Sequence, residues 1–196
     1  MTGKDSPVGR RDVLKSFCSL VNATALVTIS VQSSYAQNGS GDAMPKEGDL
    51  LAYAKGDKKG QVIVPSDLVV DGQPVLARPK DPASGLLRDQ TSKSLILLYR
   101  TAPANLAAEV LAKSADGILA YSALCTHLGC PVEEWDADKQ HVICPCHKGT
   151  YDLRQSGTVV SGPPPKRLPL LALKLVDQNI VVASGFNARV GAQQKS

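Results

Sequence analysis

Cys125-Thr126-His127-Leu128-Gly129-Cys130 and, further along, Cys144-Pro145-Cys146-His147 set two cysteine–histidine pairs, each with one extra cysteine, in two short segments. The first pair has the spacing C-x-H and the second C-x-x-H. Both segments read as loops, and any fold this chain adopts has to bring them together. The stretch between them supplies the means: Val132 to Asp136 and His141 to Cys144 form a hairpin around Ala137-Asp138-Lys139-Gln140. One such pair would be a weak sign of a metal centre. Two pairs with two further thiols are a strong one.

Two sulfur and two nitrogen donors suit two kinds of centre. Zinc accepts them in tetrahedral array, which would make the chain a zinc-stabilised structural module. A [2Fe–2S] cluster accepts the same atoms when two histidines replace two cysteines on one iron. The spacing between the pairs does not decide between them. Zinc leaves the two extra cysteines without a purpose, and the iron–sulfur reading is preferred.

The N-terminus bears on the same choice. Gly9-Arg10-Arg11-Asp12-Val13-Leu14-Lys15 resembles the twin-arginine export motif, and a mildly apolar stretch from Phe17 to Val31 follows it. Ser34-Tyr35-Ala36 offers small residues to a signal peptidase, so residues 1–36 are expected to be an export signal cleaved after Ala36. The alternative is an uncleaved anchor, although the run is shorter than the roughly 20 residues a spanning helix needs and Ser19, Asn22, Thr24 and Thr28 dilute it. Twin-arginine signals serve proteins that take up cofactors before export, which fits a cluster better than zinc. Periplasmic localisation follows, with attachment to the outer face of the cytoplasmic membrane as a variant. Cys18 lies inside the signal and is expected to be discarded with it, and the other four cysteines all belong to the two loops.

The net charge of +4 falls to about +2 once the signal is removed, and no basic block marks a nucleic-acid binder. Residues 37–48 are rich in Gly, Ser and charge and read as a flexible linker, and residues 189–196 as a tail. Between them, residues 49–188 form one domain of short β-type runs. Leu50 to Ala54 and Gln61 to Val64 flank a lysine-rich turn, and Val69 to Gln73 carries a D-G hairpin signal before Pro74 to Ala77. Residues 78–93 read as an irregular loop, and Ser94 to Arg100 as a buried strand. Pro103 to Lys113 is the helix candidate, with Leu106, Val110 and Leu111 on one face. Gly117 to Leu124 is a strand feeding the first loop, and Leu171 to Val176 with Ile180 to Ser184 a closing hairpin. No βαβ alternation or repeat occurs, so an antiparallel, mostly β domain is expected.

ILAYSALCTHLGCPV, then CPCHKGTYD, then SGPPPKRLP make residues 117–184 similar to Rieske iron–sulfur proteins, in particular the disulfide-containing branch of quinol–cytochrome c oxidoreductases and related periplasmic oxidases. The resemblance implies a mostly β fold: a Rieske-type antiparallel β-sheet sandwich with a small cluster-binding subdomain, about residues 124–165, and one short helix. It implies one [2Fe–2S] cluster held by Cys125 and Cys144 on one iron and by His127 and His147 on the other. It pairs Cys130 with Cys146 in a disulfide tying the loops together, as an oxidising compartment allows. Gly162, Pro163 and Pro164 would belong to a proline loop covering the cluster, and Leu128 would face a redox partner. Tyr151 matches the tyrosine whose hydroxyl donates to a ligand sulfur.

One departure concerns Lys148 and Gly149, which stand where respiratory relatives usually have Gly-Ser. The serine hydroxyl that stabilises the reduced form is missing, and Thr150 is left open as a substitute donor. The expected midpoint potential is below that of typical respiratory relatives, though Lys148 offsets part of the loss. Electron uptake is expected to be coupled to proton uptake at the ligand imidazoles. His141 is read as a surface residue rather than a ligand.

The expected role is single-electron transfer, as the iron–sulfur subunit of a quinol–cytochrome c oxidoreductase-like complex. The donor would be quinol at a cytochrome b, and the acceptor a c-type cytochrome. The alternative is the small subunit of a periplasmic molybdenum oxidoreductase such as arsenite oxidase, with a molybdenum subunit as donor. The ferredoxin component of a ring-hydroxylating oxygenase fits less well, because those components lack Cys130, Cys146 and an export signal. No catalytic constellation independent of the metal centre appears.

Overall fold

The computed structural model describes residues 43–192. The twin-arginine segment, Cys18, the cleavage point after Ala36, residues 37–42 and residues 193–196 lie outside the described residues. No helix among the described residues is long and apolar enough to cross a membrane.

Two antiparallel sheets and one short helix make up the domain. Strands β1 (Leu50–Tyr53), β2 (Val75–Lys80), β3 (Ile96–Arg100), β4 (Ile118–Ser122), β9 (Leu170–Val176) and β10 (Asn179–Phe186) close into a barrel in the order β1-β10-β9-β4-β3-β2. Strands β5 (Glu134–Asp136), β6 (His141–Ile143), β7 (Thr150–Asp152) and β8 (Thr158–Ser161) form a four-stranded sheet in sequence order. The mostly β class is as expected. The larger sheet closes on itself because β1 pairs with β2 on one side and with β10 on the other.

The run Ile96-Leu97-Leu98-Tyr99 is apolar at every position because both of its faces are buried. Ile96 and Leu98 join Ile118, Ala120, Leu171 and Ile180 in one core. Leu97 and Tyr99 join Leu119, Tyr121, Val142, Tyr151 and Leu153 in a second core, shared with the small sheet. Each such aliphatic side chain contributes about 1.5–3 kcal/mol by leaving water. The Tyr121 hydroxyl donates to the Leu153 carbonyl at 2.7 Å, and the rings of Tyr99 and Trp135 lie 5.7 Å apart. The small sheet is thus mounted on β3 and β4, and β4 leads straight into the first cysteine loop.

Three expectations are modified. The helix anticipated over 103–113 is a 3-10 turn at Pro103–Asn105 and an α-helix α1 of four residues, Ala108–Leu111. Leu106 and Ala107 between them are extended, with Leu106 and Val110 packed on the second core while Leu111 is exposed. The D-G turn exists, with Asp71 at φ 56°, but Val70 bridges in parallel to Arg100 instead of pairing with β2. Finally, β2 runs on to Lys80, and the segment after it is pinned by Arg88, whose guanidinium grips the buried Asp49 carboxylate at 2.8 and 3.0 Å.

Candidate metal centre

The two loops share one backbone design. In the first, Cys125 N–H donates to the Cys130 carbonyl at 2.8 Å and Gly129 N–H to the Cys125 carbonyl at 2.9 Å. In the second, Cys144 N–H donates to the Gly149 carbonyl at 2.8 Å and Lys148 N–H to the Cys144 carbonyl at 2.9 Å. The fifth residue of each turn is left-handed, Gly129 at φ 82° and Lys148 at φ 55°. The first loop is rooted on the barrel by Val132 N–H donating to Ala123, and the second spans β6 and β7. Cys130 and Cys146 form a disulfide between the loops, their Cα atoms 6.6 Å apart.

The other two cysteines among the described residues are buried and reduced, Cys125 at 2% exposure and Cys144 at 1%. Burial pushes the Cys144 thiol up, and the neighbouring Cys125 adds to the effect. The rings of His127 and His147 meet edge to face with centroids 4.8 Å apart. His127 Nδ1 is buried and has no hydrogen-bond partner. The sulfurs of Cys130, Cys144 and Cys146 lie within 4.8 Å of one another, but the disulfide takes two of them and leaves only the Cys144 thiol free.

A buried thiol pair beside an imidazole pair, with one ring nitrogen turned inward and unpaired, suits a cationic iron centre. An unpaired buried polar nitrogen costs free energy unless something binds it, and a thiolate in this site needs a nearby cation. The donor set therefore fits a mixed cysteine–histidine [2Fe–2S] cluster.

Residues around the donors fix them. Thr126 N–H donates to the Tyr151 hydroxyl oxygen at 3.1 Å, which leaves the phenolic proton for Cys125 Sγ, 3.2 Å away. Burial raises the Tyr151 pKa, and its bond to Cys125 raises it further, so the proton stays on the tyrosine. Thr126 is itself buried, and its hydroxyl donates to the Lys166 carbonyl at 2.6 Å, strapping the segment after the prolines to the first loop. Gly162 is left-handed at φ 89°, and a Cβ there would meet the Lys148 carbonyl oxygen at 2.8 Å, so the proline loop rests on the second loop. Pro164 is buried, whereas Gly162 and Pro163 are exposed.

Leu128 is 63% exposed and follows His127, whose ring meets that of the exposed His147. The Lys148 ammonium donates to both carboxylate oxygens of Glu134 on β5, at 3.0 and 2.9 Å, so its charge is countered locally. The Thr150 hydroxyl donates to the Lys148 carbonyl at 3.1 Å. His141 is not the surface residue expected: its side chain is 14% exposed, with Nε2 3.9 Å from Asp152 Oδ2. Thr126, Glu134 and the Lys166 carbonyl are contributors that the sequence does not announce. Each acts across a long chain separation or through main-chain groups, and spacing carries neither.

Comparison with known proteins agrees with this geometry. The Rieske [2Fe-2S] domain family matches residues 87–183, a span enclosing both loops and the proline segment. The chain is similar to the cytochrome bc1 complex Rieske iron-sulfur subunit of Streptomyces lividans, with 33% identity over 131 residues, 65% of this chain and 76% of that one. The subunit of the same name from Streptomyces coelicolor is 29% identical over 201 residues, 96% of this chain but 54% of its own length. This chain thus spans about half the length of that relative. The cytochrome b6-f complex iron-sulfur subunit of Chlorobaculum tepidum is 44% identical over 66 residues, 34% of this chain and 35% of that one. Two loops of one design, a free thiol pair, a facing imidazole pair and a matching span from 87 to 183 lead to one conclusion: the chain belongs to the Rieske [2Fe-2S] family, and its cofactor is one [2Fe–2S] cluster.

Proposed function

We propose that this chain is a one-electron carrier in which Cys125 and Cys144 hold one iron and His127 and His147 the other, within a domain spanning residues 49–188. The observation that carries the reading is the buried His127 Nδ1 without a partner, in a site that also holds two free buried thiols. When bound, the cluster supplies a centre that takes up and returns single electrons at a potential raised by its neutral imidazole ligands.

The chain's own residues do the rest. Tyr151 donates to Cys125 Sγ and disperses negative charge that collects on the sulfur. The proline loop and the disulfide exclude water and hold the loops in register. With Nδ1 of His127 directed inward, Nε2 is the atom left to hold or release a proton. His147 and Leu128, both exposed, offer a partner an imidazole and an apolar side chain.

The relatives named as subunits of cytochrome bc1 and b6-f complexes support a place in a quinol–cytochrome c oxidoreductase-like complex. There a cytochrome b with quinol would be the donor and a c-type cytochrome the acceptor. The twin-arginine segment supports a location on the periplasmic side of the membrane.

Low-temperature paramagnetic resonance of the dithionite-reduced full chain tests the ligand set. An anisotropic signal distinct from that of an all-thiolate cluster is expected, abolished in Cys125→Ala, His127→Ala and His147→Ala. Persistence of the unaltered signal in any of these variants overturns the assignment.

A further inference from the structure

Gly149 closes the second loop, and the proline loop lies directly on it. A Cβ on Gly149 would stand 2.9 Å from Pro164 Cδ and nearer still to Cγ, inside any ordinary contact. The same Cβ would lie 3.7 Å from Cys125 Sγ, so a hydroxyl one bond further out would be able to turn toward that sulfur. The Pro164 ring occupies this position. Pro164 is buried while Pro163 and Pro165 on either side are exposed, so its ring is the part of the loop turned inward. A Cβ on Gly162 would come 2.9 Å from Gly149 Cα, a second point at which the two segments touch without side chains between them. The hydroxyl next in sequence, on Thr150, is committed to the Lys148 carbonyl. Cys125 Sγ therefore has the Tyr151 hydroxyl as a donor on one side and hydrocarbon on the side of Gly149.

We propose that Gly149 and Pro164 are a size-matched pair: the proline ring fills the volume a side chain at 149 would take, and so denies the Cys125 sulfur a second side-chain hydrogen bond. Pro164 is on this account a positioning residue that sets the electron affinity of the centre through the space above Gly149. A hydrogen bond to a ligand sulfur stabilises the more negative, reduced state, so excluding one keeps the potential down. The inference rests on the assignment of Cys125 as an iron ligand.

A double-substitution cycle on the full, cluster-loaded chain tests it, using Gly149→Ser, Pro164→Ala and the two combined. Two quantities are read: the thermal unfolding midpoint and the midpoint potential. Gly149→Ser alone is expected to lower the unfolding midpoint by several degrees, because overpacking a filled site is destabilising. Combining it with Pro164→Ala recovers most of that loss, so the two effects do not add. The combined variant also titrates at a higher potential than Pro164→Ala alone, since the serine hydroxyl now reaches the sulfur. Gly149→Ala, which brings a Cβ and no hydroxyl, shows the same thermal coupling to Pro164→Ala without the rise in potential. Additive thermal effects, or a Gly149→Ser variant as stable as the unmutated chain, overturn the size match. Equal potentials in the combined variant and Pro164→Ala overturn the role in setting electron affinity. Failure of the ligand assignment is read separately, as loss of the anisotropic signal in the unmutated chain, and leaves the thermal cycle interpretable.

Discussion

Lys148 occupies a left-handed position that its counterpart in the first loop gives to glycine. For a residue with a side chain that conformation costs about 1–2 kcal/mol, and its ammonium is held by Glu134 on an exposed edge of the small sheet. An exposed pair of this kind contributes about 0.2–1 kcal/mol, so its importance is electrostatic more than structural. Glu134→Gln frees a cation beside His147. It is expected to raise the midpoint potential at low salt while leaving the unfolding temperature nearly unchanged. The rise should fade toward 1 M salt, where the screening length falls to about 3 Å. A redox titration at two ionic strengths checks this, and an unchanged low-salt value refutes it. The sequence makes Lys148 visible as a charge but not as a countered one, because Glu134 sits fourteen positions away on β5.

At the scale of elements, the cysteine loops are legible because their chemistry is local: the donors and extra thiols lie within six residues in the first loop and four in the second. The hairpin between them and the closing hairpin are legible too. Asp177 and Gln178, both with positive φ, turn β9 into β10, and periodic apolar runs flank them. Residues 103–113 show the opposite case. Their helical spacing is real, yet Leu106 and Val110 reach the second core only with an extended step at Leu106 and Ala107, so tertiary packing overrides periodicity. What binds the loops to each other is the disulfide, spanning sixteen residues. Replacing both Cys130 and Cys146 with serine is expected to cost about 3 kcal/mol of stability. The cluster should be lost at lower temperature than in the unmutated chain. Denaturant unfolding together with the visible absorbance of the heated protein measures both, and unchanged retention of colour argues against the loops depending on this link.

Over the whole molecule, what sequence periodicity cannot convey is closure. β1 and β10 pair across some 130 residues through Leu50 and Val181, and no local signal marks either as the other's partner. The buried Asp49–Arg88 pair beside that seam also joins residues far apart in sequence, 39 positions from each other. Three fully buried tyrosines, Tyr99, Tyr121 and Tyr151, tie barrel, small sheet and cysteine loop together. Burial, helped by the bond to Asp71, pushes the Tyr99 hydroxyl from its ordinary 10.0 up to about 12, and Tyr121 and Tyr151 are raised in the same direction. The folded state therefore keeps protons that the unfolded chain releases. The stabilisation is fully present below pH 10 and is lost as the pH rises through about 12. Denaturant midpoints should fall across that window, and Tyr99→Phe should flatten part of the fall; a variant with the same alkaline slope would exclude Tyr99 as a source. The repeated turn design has a consequence of its own. Two anchors cut to one pattern and bolted together by Cys130–Cys146 limit each other's displacement, the condition under which little nuclear rearrangement would accompany the arrival of an electron.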